Sequence, residues 1–555
     1  MKVLICSINS KYIHSSLAAW CLAAGIERYG ENIEYEIFES TINEPVEEIK
    51  KKLTKKSFDL IGFCTYIWNL AYVDELCWYI KSTKNVITVL GGPEVGFNPY
   101  EHLKKEYVDY VISGEGEKSF ALLASGSEPS TIKGISYKSK GKIMISEPFV
   151  DECDPPSPYI SDYFDALNGR ISYIETSRGC PFKCSFCLSG RCGNVRFFDL
   201  EESKNRILLL ANSGTKTIKF VDRTFNANPK RAQNIFKFII DNYGVKFPDN
   251  ICFHFEIDAS LIDDETINVL KNAPIGAIQL EIGIQSFNEK TLISINRIRN
   301  QNKLIDNIKK VISLKNMHIH IDLIAGLPYE TFESFKEGFN CAYALKANML
   351  QFGFLKILHG SDLENSEEVK CLIYDNIPPY QVKETEWLSL QEMEKLHTCE
   401  GVFDKIYNSG RFTRTCDYIV RQLGNPFEIF MNFAQFLSKN SNTTYKTLDE
   451  LTKSMFEYFS DFKEINKNKL RDEIVKDRLS TNKNGEVPEF LKIHSPYTKK
   501  ILLNLEKNEK TRKPSGVKRA ISLLKTEKKA IYVDYINQNP VTKQFMLCEV
   551  DINDI

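Results

Sequence analysis

Short apolar runs rich in β-branched residues alternate with helical stretches through the middle of the chain. Six such runs occur, at residues 171–176, 217–221, 251–257, 277–284, 318–324 and 350–358. Strands that alternate with helices at these intervals are typical of βα units and a parallel sheet. The pattern therefore predicts six βα units that share a parallel sheet over residues 166–365.

A second series of apolar runs occupies the first 125 residues. Residues 1–8 predict a buried strand and residues 15–29 an amphipathic helix. Three further parallel strands are expected at residues 59–64, 86–90 and 108–113. This order is typical of a doubly wound, Rossmann-like α/β domain, whose ligands bind at the carboxyl ends of the strands.

The remaining segments differ in character. Residues 126–165 combine a predicted β-hairpin with a proline-rich spacer, which separates the two α/β regions. Residues 366–555 are mostly helical by pattern, with a strand pair expected at 530–535 and 544–550. The lysines between 492 and 529 fit a solvated basic face better than an RNA contact.

Composition narrows the class of protein. The chain has 555 residues, of which 43% are hydrophobic and 26% charged, as in ordinary globular proteins. The formal net charge of -1 argues against general nucleic-acid binding. Fifteen cysteines, an odd number, fit a reducing compartment. No apolar run is long enough to span a bilayer, so we expect a cytoplasmic protein without membrane contact.

Three cysteines follow the first of the six strands predicted over residues 166–365 at close spacing. Cys180, Cys184 and Cys187 form a C-x3-C-x2-C run with Gly179 and Pro181 at its start. Cysteine thiolates bind iron–sulfur clusters, and three of them leave one iron of a four-iron cluster open. Cys192 leaves a four-thiolate zinc site as the alternative. That alternative is weaker, because zinc sites usually combine two separated C-x2-C pairs.

Polar residues lie at the expected carboxyl ends of the strands in both α/β regions. Among the six βα units these are Asp222, Thr224, Asn226, Glu256, Asp258, Gln285, Ser286 and Asp322. In the first 125 residues the equivalent loops contain Asn9, Ser10, His14, Thr65, Gly91, Gly92, Pro93, Glu94, Gly114, Glu115 and Gly116. Glycine there permits close approach of backbone to a ligand, although a tight turn explains it equally well. A hydrogen-bonding role is the simpler interpretation of His14.

The cysteine run resembles the radical S-adenosylmethionine (radical SAM) superfamily, whose C-x3-C-x-aromatic-C loop has its aromatic residue at the position of Phe186. Residues 281–286 and 322–328 also resemble motifs of that superfamily. The first 125 residues resemble the cobalamin-binding domain that precedes many radical SAM cores. The D-x-H-x-x-G motif, whose histidine ligates cobalt in some cobalamin proteins, is missing.

This resemblance implies a 4Fe-4S cluster on Cys180, Cys184 and Cys187. It implies SAM contacts from Phe186, Asp222, Glu256, Gln285 and Ser286, and cobalamin contacts from the eleven loop residues of the first 125. The fold it implies is a doubly wound, Rossmann-like cobalamin-binding domain over residues 1–125, a partial (β/α)6 radical SAM barrel over 166–365 and a mostly helical C-terminal domain of unknown role over 366–555.

The activity implied is cleavage of SAM to a 5′-deoxyadenosyl radical, followed by methylation of an unactivated carbon. The substrate is unknown, with a small molecule or a peptide favoured over tRNA, and flavodoxin or ferredoxin is the expected electron donor. The first alternative is a radical SAM enzyme that rearranges, oxidises or inserts sulfur instead. The second is a corrinoid- or zinc-binding regulator without activity.

Overall fold

The computed structural model describes residues 1–191, 193–440, 447–508 and 511–552. Its strands are β1 Lys2–Asn9, β2 Glu34–Thr41, β3 Leu60–Cys64, β4 Ile87–Gly91, β5 Tyr110–Ile112, β6 Ile135–Ser139, β7 Lys142–Met144, β8 Ser172–Ile174, β9 Ser177–Arg178, β10 Arg196–Phe197, β11 Thr217–Phe220, β12 Cys252–Ile257, β13 Ile278–Gln285, β14 His318–Ala325, β15 Met349–Phe354, β16 Leu372–Tyr374, β17 Val382–Thr385, β18 Arg519–Leu523, β19 Lys529–Asp534 and β20 Cys548–Asp551.

The α-helices are α1 Leu17–Tyr29, α2 Val46–Thr54, α3 Leu70–Thr83, α4 Pro99–Leu103, α5 Gly116–Ala124, α6 Ser161–Leu167, α7 Leu200–Ala211, α8 Pro229–Asn242, α9 Asp264–Lys271, α10 Glu289–Ser294, α11 Gln301–Ser313, α12 Phe332–Ala344, α13 Leu390–Phe403, α14 Thr413–Leu423, α15 Pro426–Asn440, α16 Leu448–Ser460, α17 Lys467–Thr481 and α18 Tyr497–Lys507. The chain divides into two compact units. The first contains residues 1–278, 293–304 and 355–382, and the second contains 279–292, 305–354 and 383–555.

A seven-stranded sheet in the order β2-β1-β3-β4-β5-β6-β7 organises the N-terminal part of the first unit. Its first five strands are parallel, and helices cover both faces over two apolar cores. The doubly wound α/β prediction is confirmed. The sequence pattern missed β2, because side chains along much of this edge strand alternate between partly buried and exposed.

The predicted hairpin, β6 with β7, belongs to this same sheet. Strand β6 pairs antiparallel with β5, so the hairpin extends the sheet of the N-terminal domain as well as linking it to the next. Helix α1 packs closely on α5, because Gly25 leaves room for the backbone of Glu117. That contact fixes the start of α5, where the strand-end loop after β5 finishes.

The six strands predicted for the barrel are all present. In the first unit β11 pairs in parallel with β8 and with β12. In the second unit β14 pairs in parallel with β13 and with β15. The first of the six strands, β8, is shorter than the predicted run 171–176. The last, β15, ends at Phe354, four residues before the end of the predicted run 350–358. Along β13, buried and half-buried residues alternate, which places Glu281 and Gln285 on one face.

The C-terminal part of the second unit is mostly helical, from α13 to α18, as predicted. It ends in an antiparallel sheet of β18, β19 and β20, where the sequence pattern indicated only a strand pair. Helix α17 buries charged side chains that fix neighbouring backbone: Asp472 accepts hydrogen bonds from the N–H groups of Lys525 and Thr526. In the part of the chain that the structure describes, no helix combines the length and apolar character needed to cross a membrane.

Candidate cofactor sites

The cysteine loop leaves and re-enters the fold through a short antiparallel pair, β9 with β10. Gly179 has a φ of +95°, and a side chain there would press on the backbone of Asn194. Cys184 is buried, Cys180 and Cys187 are half-buried, and all three are free thiols. The N–H of Cys187 donates to the carbonyl of Cys184 at 3.1 Å, which turns the chain between these two sulfur ligands.

Two arginines from residues 293–304 approach this loop. A guanidinium N–H of Arg297 donates to Sγ of Cys184 at 3.5 Å. Arg299 stacks over the Phe182 ring at 3.5 Å and pairs with Asp258 at 3.1 Å. Both arginines thus bring positive charge to the cysteine loop. Three sulfur donors with nearby arginines therefore fit an anionic iron–sulfur cluster. Cys192, the fourth ligand of the zinc alternative, lies outside the described residues.

Asp222 holds the chain just before the cysteine loop. Its carboxylate is buried and accepts hydrogen bonds from the Thr176 N–H at 3.0 Å, the Thr176 hydroxyl at 2.7 Å and the Ser177 hydroxyl at 2.6 Å. Burial raises the pKa of Asp222, and these hydrogen bonds oppose the rise. Asp222 thus positions the loop in this structure, whereas a contact with SAM stays a prediction.

The other residues predicted to contact SAM are divided between the two units. Phe186 and Glu256 are half-buried in the first unit. In the second, Gln285 ends β13 with a φ of +72°, and the buried Ser286 donates to the Glu330 carboxylate at 3.1 Å. Their roles toward SAM remain predictions.

Glu330 itself was missed by the sequence analysis. It is buried, and burial raises its pKa to about 7, against the hydrogen bonds from Ser286 and Ser334. One sequence signal could have pointed to Glu330 as a site residue. It lies two residues after Pro328, at the end of the Gly-Leu-Pro segment that follows the fifth predicted strand.

The second unit also gathers three titratable side chains on β13 and β14. Nε2 of His320 lies 2.9 Å from a carboxylate oxygen of Asp322, and Nδ1 lies 3.8 Å from Glu281. His320 is buried and both carboxylates are half-buried. A histidine between two carboxylates can exchange a proton or bind a divalent cation. The sequence analysis named Asp322 but not its two neighbours in space as a group.

The loops after β1, β3 and β4 lie at the carboxyl edge of the N-terminal sheet, where hydrogen bonds connect them. The side chain of Asn69, after β3, donates to the carbonyl of Ile8 at the end of β1. Asn9 is buried and donates to the His14 carbonyl and to Glu39, so it orders the first loop. Nδ1 of His14 lies 2.5 Å from the Tyr173 hydroxyl, which agrees with the hydrogen-bonding role. The N–H of Thr65 donates to the carbonyl of Gly91 at 2.7 Å, which joins the loops after β3 and β4.

Aromatic side chains are exposed at this edge. Trp68 is 43% exposed and stacks on Tyr66 at 4.4 Å between ring centroids, and Tyr12 is 67% exposed. Exposed apolar area beside glycine-rich loops is typical of a ligand surface. It suits a flat macrocycle such as the corrin of cobalamin. The sequence analysis included the loop of Trp68 but not the residue.

The segment from Gly114 to Gly116 is engaged with protein groups. A side chain at Gly114 would collide with the backbone of Phe149, which forms a β-bridge to it. Glu115 pairs with Arg178 at 2.9 Å and with Arg196 at 2.8 Å. These contacts give Gly114 and Glu115 a structural role. Their predicted contacts with cobalamin remain predictions.

Three family models match the chain, one for each of its main parts. They are the B12 binding domain over residues 3–124, the radical SAM superfamily over 174–341 and a protein of unknown function, DUF4080, over 371–545. The chain therefore combines an N-terminal B12-binding domain with a radical SAM domain. The predicted fold class and the predicted resemblance to radical SAM proteins with a B12-binding domain are confirmed.

Individual relatives agree with this assignment. The cobalamin-dependent radical SAM methyltransferase TokK of Streptomyces tokunonensis is 26% identical over 53% of this chain and 46% of its own. The uncharacterized methyltransferase PH0819 of Pyrococcus horikoshii is 30% identical over 48% of this chain and 60% of its own. The chain thus spans about half the length of the curated relatives it matches.

Among solved structures, the cobalamin-dependent S-adenosylmethionine radical enzyme OxsB, solved with aqua-cobalamin and S-adenosylmethionine bound, matches with a TM-score of 0.60. The match covers 92% of this chain and 82% of OxsB at 14% identity. At that identity the likeness concerns the fold.

Proposed function

We propose that the chain is a cobalamin-dependent radical SAM methyltransferase that methylates an unactivated carbon of a small molecule or a peptide. The observation that carries this proposal is the arginine two residues before Cys180. Arg178 pairs with Glu115, in the loop after β5, at 2.9 Å and with Glu117, in the first turn of α5, at 2.6 Å. Partly buried ion pairs therefore join β9, the strand just before the cysteine loop, to the end of the β5 loop in the B12-binding domain, which supports a reaction that uses both cofactors.

The residues present suit both cofactors. The thiols of Cys180, Cys184 and Cys187 would hold the cluster, with Arg297 offsetting its negative charge. The exposed aromatic surface at Trp68 would lie against cobalamin. When bound, the cluster supplies the electron that cleaves SAM to the 5′-deoxyadenosyl radical, and cobalamin carries the methyl group.

The relatives support methyl transfer over the other radical reactions, since TokK is named as a methyltransferase. SAM would then be used twice, as radical source and as methyl donor. A flavodoxin or ferredoxin is the expected electron donor. The formal charge of -1 supports a substrate other than tRNA.

The two uses of SAM give different products, which allows a test without the substrate. Anaerobically reconstituted protein, loaded with hydroxocobalamin and reduced with dithionite, should convert SAM to 5′-deoxyadenosine and also to S-adenosylhomocysteine. Cys184→Ala should abolish 5′-deoxyadenosine, whereas Cys153→Ala, at an exposed thiol, should not. 5′-Deoxyadenosine without cobalamin-dependent S-adenosylhomocysteine would favour the non-methylating radical SAM enzyme. If neither product forms, both the methylating and the non-methylating radical SAM activity are contradicted.

A further inference from the structure

The segment of residues 355–382, which follows β15, closes on itself within the first unit. The N–H of Val382 donates to the carbonyl of Leu355 at 2.9 Å, and that of Ile357 donates to Tyr380 at 3.0 Å. These bonds hold Tyr380 at the base of the segment, where its side chain is 4% exposed.

Tyr380 reaches the loop after β4. Its hydroxyl donates to the carboxylate of Glu94, a residue 286 positions away in sequence. Glu94 is 6% exposed, and burial raises its pKa against the effect of this hydrogen bond. A buried carboxyl group that lost its partner would have to turn toward water or remain unsatisfied. The Tyr380 hydroxyl therefore fixes where Glu94 points.

A second contact joins the same two segments. Gly360, at a φ of +88°, lies against Phe97, and a side chain at this glycine would overlap the phenyl ring. The carboxylate of Glu364 accepts from the Gly360 N–H at 2.7 Å and lies 2.6 Å from Nδ1 of His359. The His359 ring in turn packs on Tyr380 at 4.5 Å. The 355–382 segment is thus internally braced where it meets the loop.

The glycines of that loop are held between two anchors. On one side, the Thr65 N–H donates to the carbonyl of Gly91. On the other, Glu94 is fixed by Tyr380, with Gly92 and Pro93 between them. The backbone of Gly92, at a φ of +120°, depends on both ends for its position.

We propose that Tyr380 is a positioning residue for cobalamin: by holding Glu94, it keeps the Gly91–Pro93 backbone in the conformation that admits the cofactor. This inference rests on the proposed function. Because Tyr380 falls in the stretch that matches DUF4080, residues 371–545, the start of that stretch serves cofactor binding in the B12-binding domain.

The test is a titration of reconstituted variants with hydroxocobalamin, followed by absorption spectroscopy, together with iron content. Tyr380→Phe should weaken cobalamin binding about tenfold, the equivalent of one lost hydrogen bond. Glu94→Gln keeps an acceptor for the tyrosine and should bind nearly as the unchanged protein does. Glu94→Ala should match Tyr380→Phe, and the double variant should be no weaker than either single one, since both remove the same interaction.

Tyr374→Phe, a half-buried tyrosine of the same segment, is the matched control and should bind cobalamin normally. Equal affinity of Tyr380→Phe and the unchanged protein would overturn the inference. So would a parallel loss of iron and cobalamin in Tyr380→Phe, because that indicates general loss of structure. If the unchanged protein binds no cobalamin, the proposed function itself fails.

Discussion

Asp222 and Thr176 are joined by two hydrogen bonds, from the Thr176 N–H at 3.0 Å and from its hydroxyl at 2.7 Å, both to the Asp222 carboxylate. The partners come from the carboxyl ends of two neighbouring parallel strands, β8 and β11. Four residues after Thr176 the chain reaches Cys180. The pairing of β8 with β11, together with these hydrogen bonds, therefore fixes the position of the start of the cysteine loop.

Removal of the Asp222 carboxylate should loosen that loop. Asp222→Ala leaves the Thr176 N–H and two hydroxyls without their acceptor, at a cost of about 1–3 kcal/mol for each buried group. We expect lower iron content after reconstitution and a lower melting temperature. Asp241→Ala, an exposed carboxylate on α8, is the control and should change neither. Full iron content in Asp222→Ala would contradict the positioning role.

Arg178 should contribute strongly to the stability of the first unit. It pairs with Glu115, Glu117 and Glu175, and its side chain is 18% exposed. Arg178→Ala leaves these carboxylates without their shared cation, and breaking a buried pair typically costs about 3–5 kcal/mol. Denaturant unfolding should show that loss, whereas Lys118→Ala, on the adjacent helix, should be close to neutral. A loss below about 1 kcal/mol would show that the pairs are effectively solvated.

Trp68 should contribute to cobalamin affinity. Trp68→Ala removes an exposed aromatic surface that Tyr66 holds in place by stacking, and we expect about tenfold weaker binding of hydroxocobalamin. Trp78→Ala is a matched control, because Trp78 is 56% exposed on helix α3. Equal affinities for the two variants would place cobalamin elsewhere.

Glu330 should make stability depend on pH. Its pKa is 4.5 without burial and about 7 in the fold, so the folded state binds the proton more tightly than the unfolded state. The stabilisation from the proton is full below about pH 4.5 and is lost as the pH rises through 7, up to roughly 3 kcal/mol in total.

Glu330→Gln remains uncharged at every pH and should therefore flatten this dependence. Urea unfolding at pH 5 and pH 8 measures the difference. Glu333→Gln, an exposed residue paired with Lys336, should keep the slope of the unchanged protein. The same slope in Glu330→Gln would mean that Glu330 is ionised in the fold at neutral pH.

Local patterns in the sequence were sufficient for the six barrel strands, which are apolar runs. The three cysteines lie within eight residues and so share one loop, and their role as cluster ligands remains a prediction. The sequence analysis missed strand β2, because its side chains alternate between exposed and partly buried at the edge of the sheet. Helix α17 reads as polar, yet it buries Asp472 because the carboxylate binds backbone N–H groups far along the chain.

The contacts that position the candidate sites could not be predicted in this way. Glu94 and Tyr380 are 286 residues apart, and neither has a local signal that names the other. The pairing of Arg178 with Glu115 likewise depends on how two α/β regions meet. For Glu115 the sequence indicated a ligand contact, whereas the structure engages its carboxylate with two arginines.

Metal analysis of the anaerobically reconstituted protein tests the central claim most directly. The account predicts about four iron atoms and one cobalt per chain after incubation with iron, sulfide and hydroxocobalamin, with the iron lost in Cys184→Ala and retained in Cys153→Ala. Zinc without iron, or iron that survives Cys184→Ala, would contradict it.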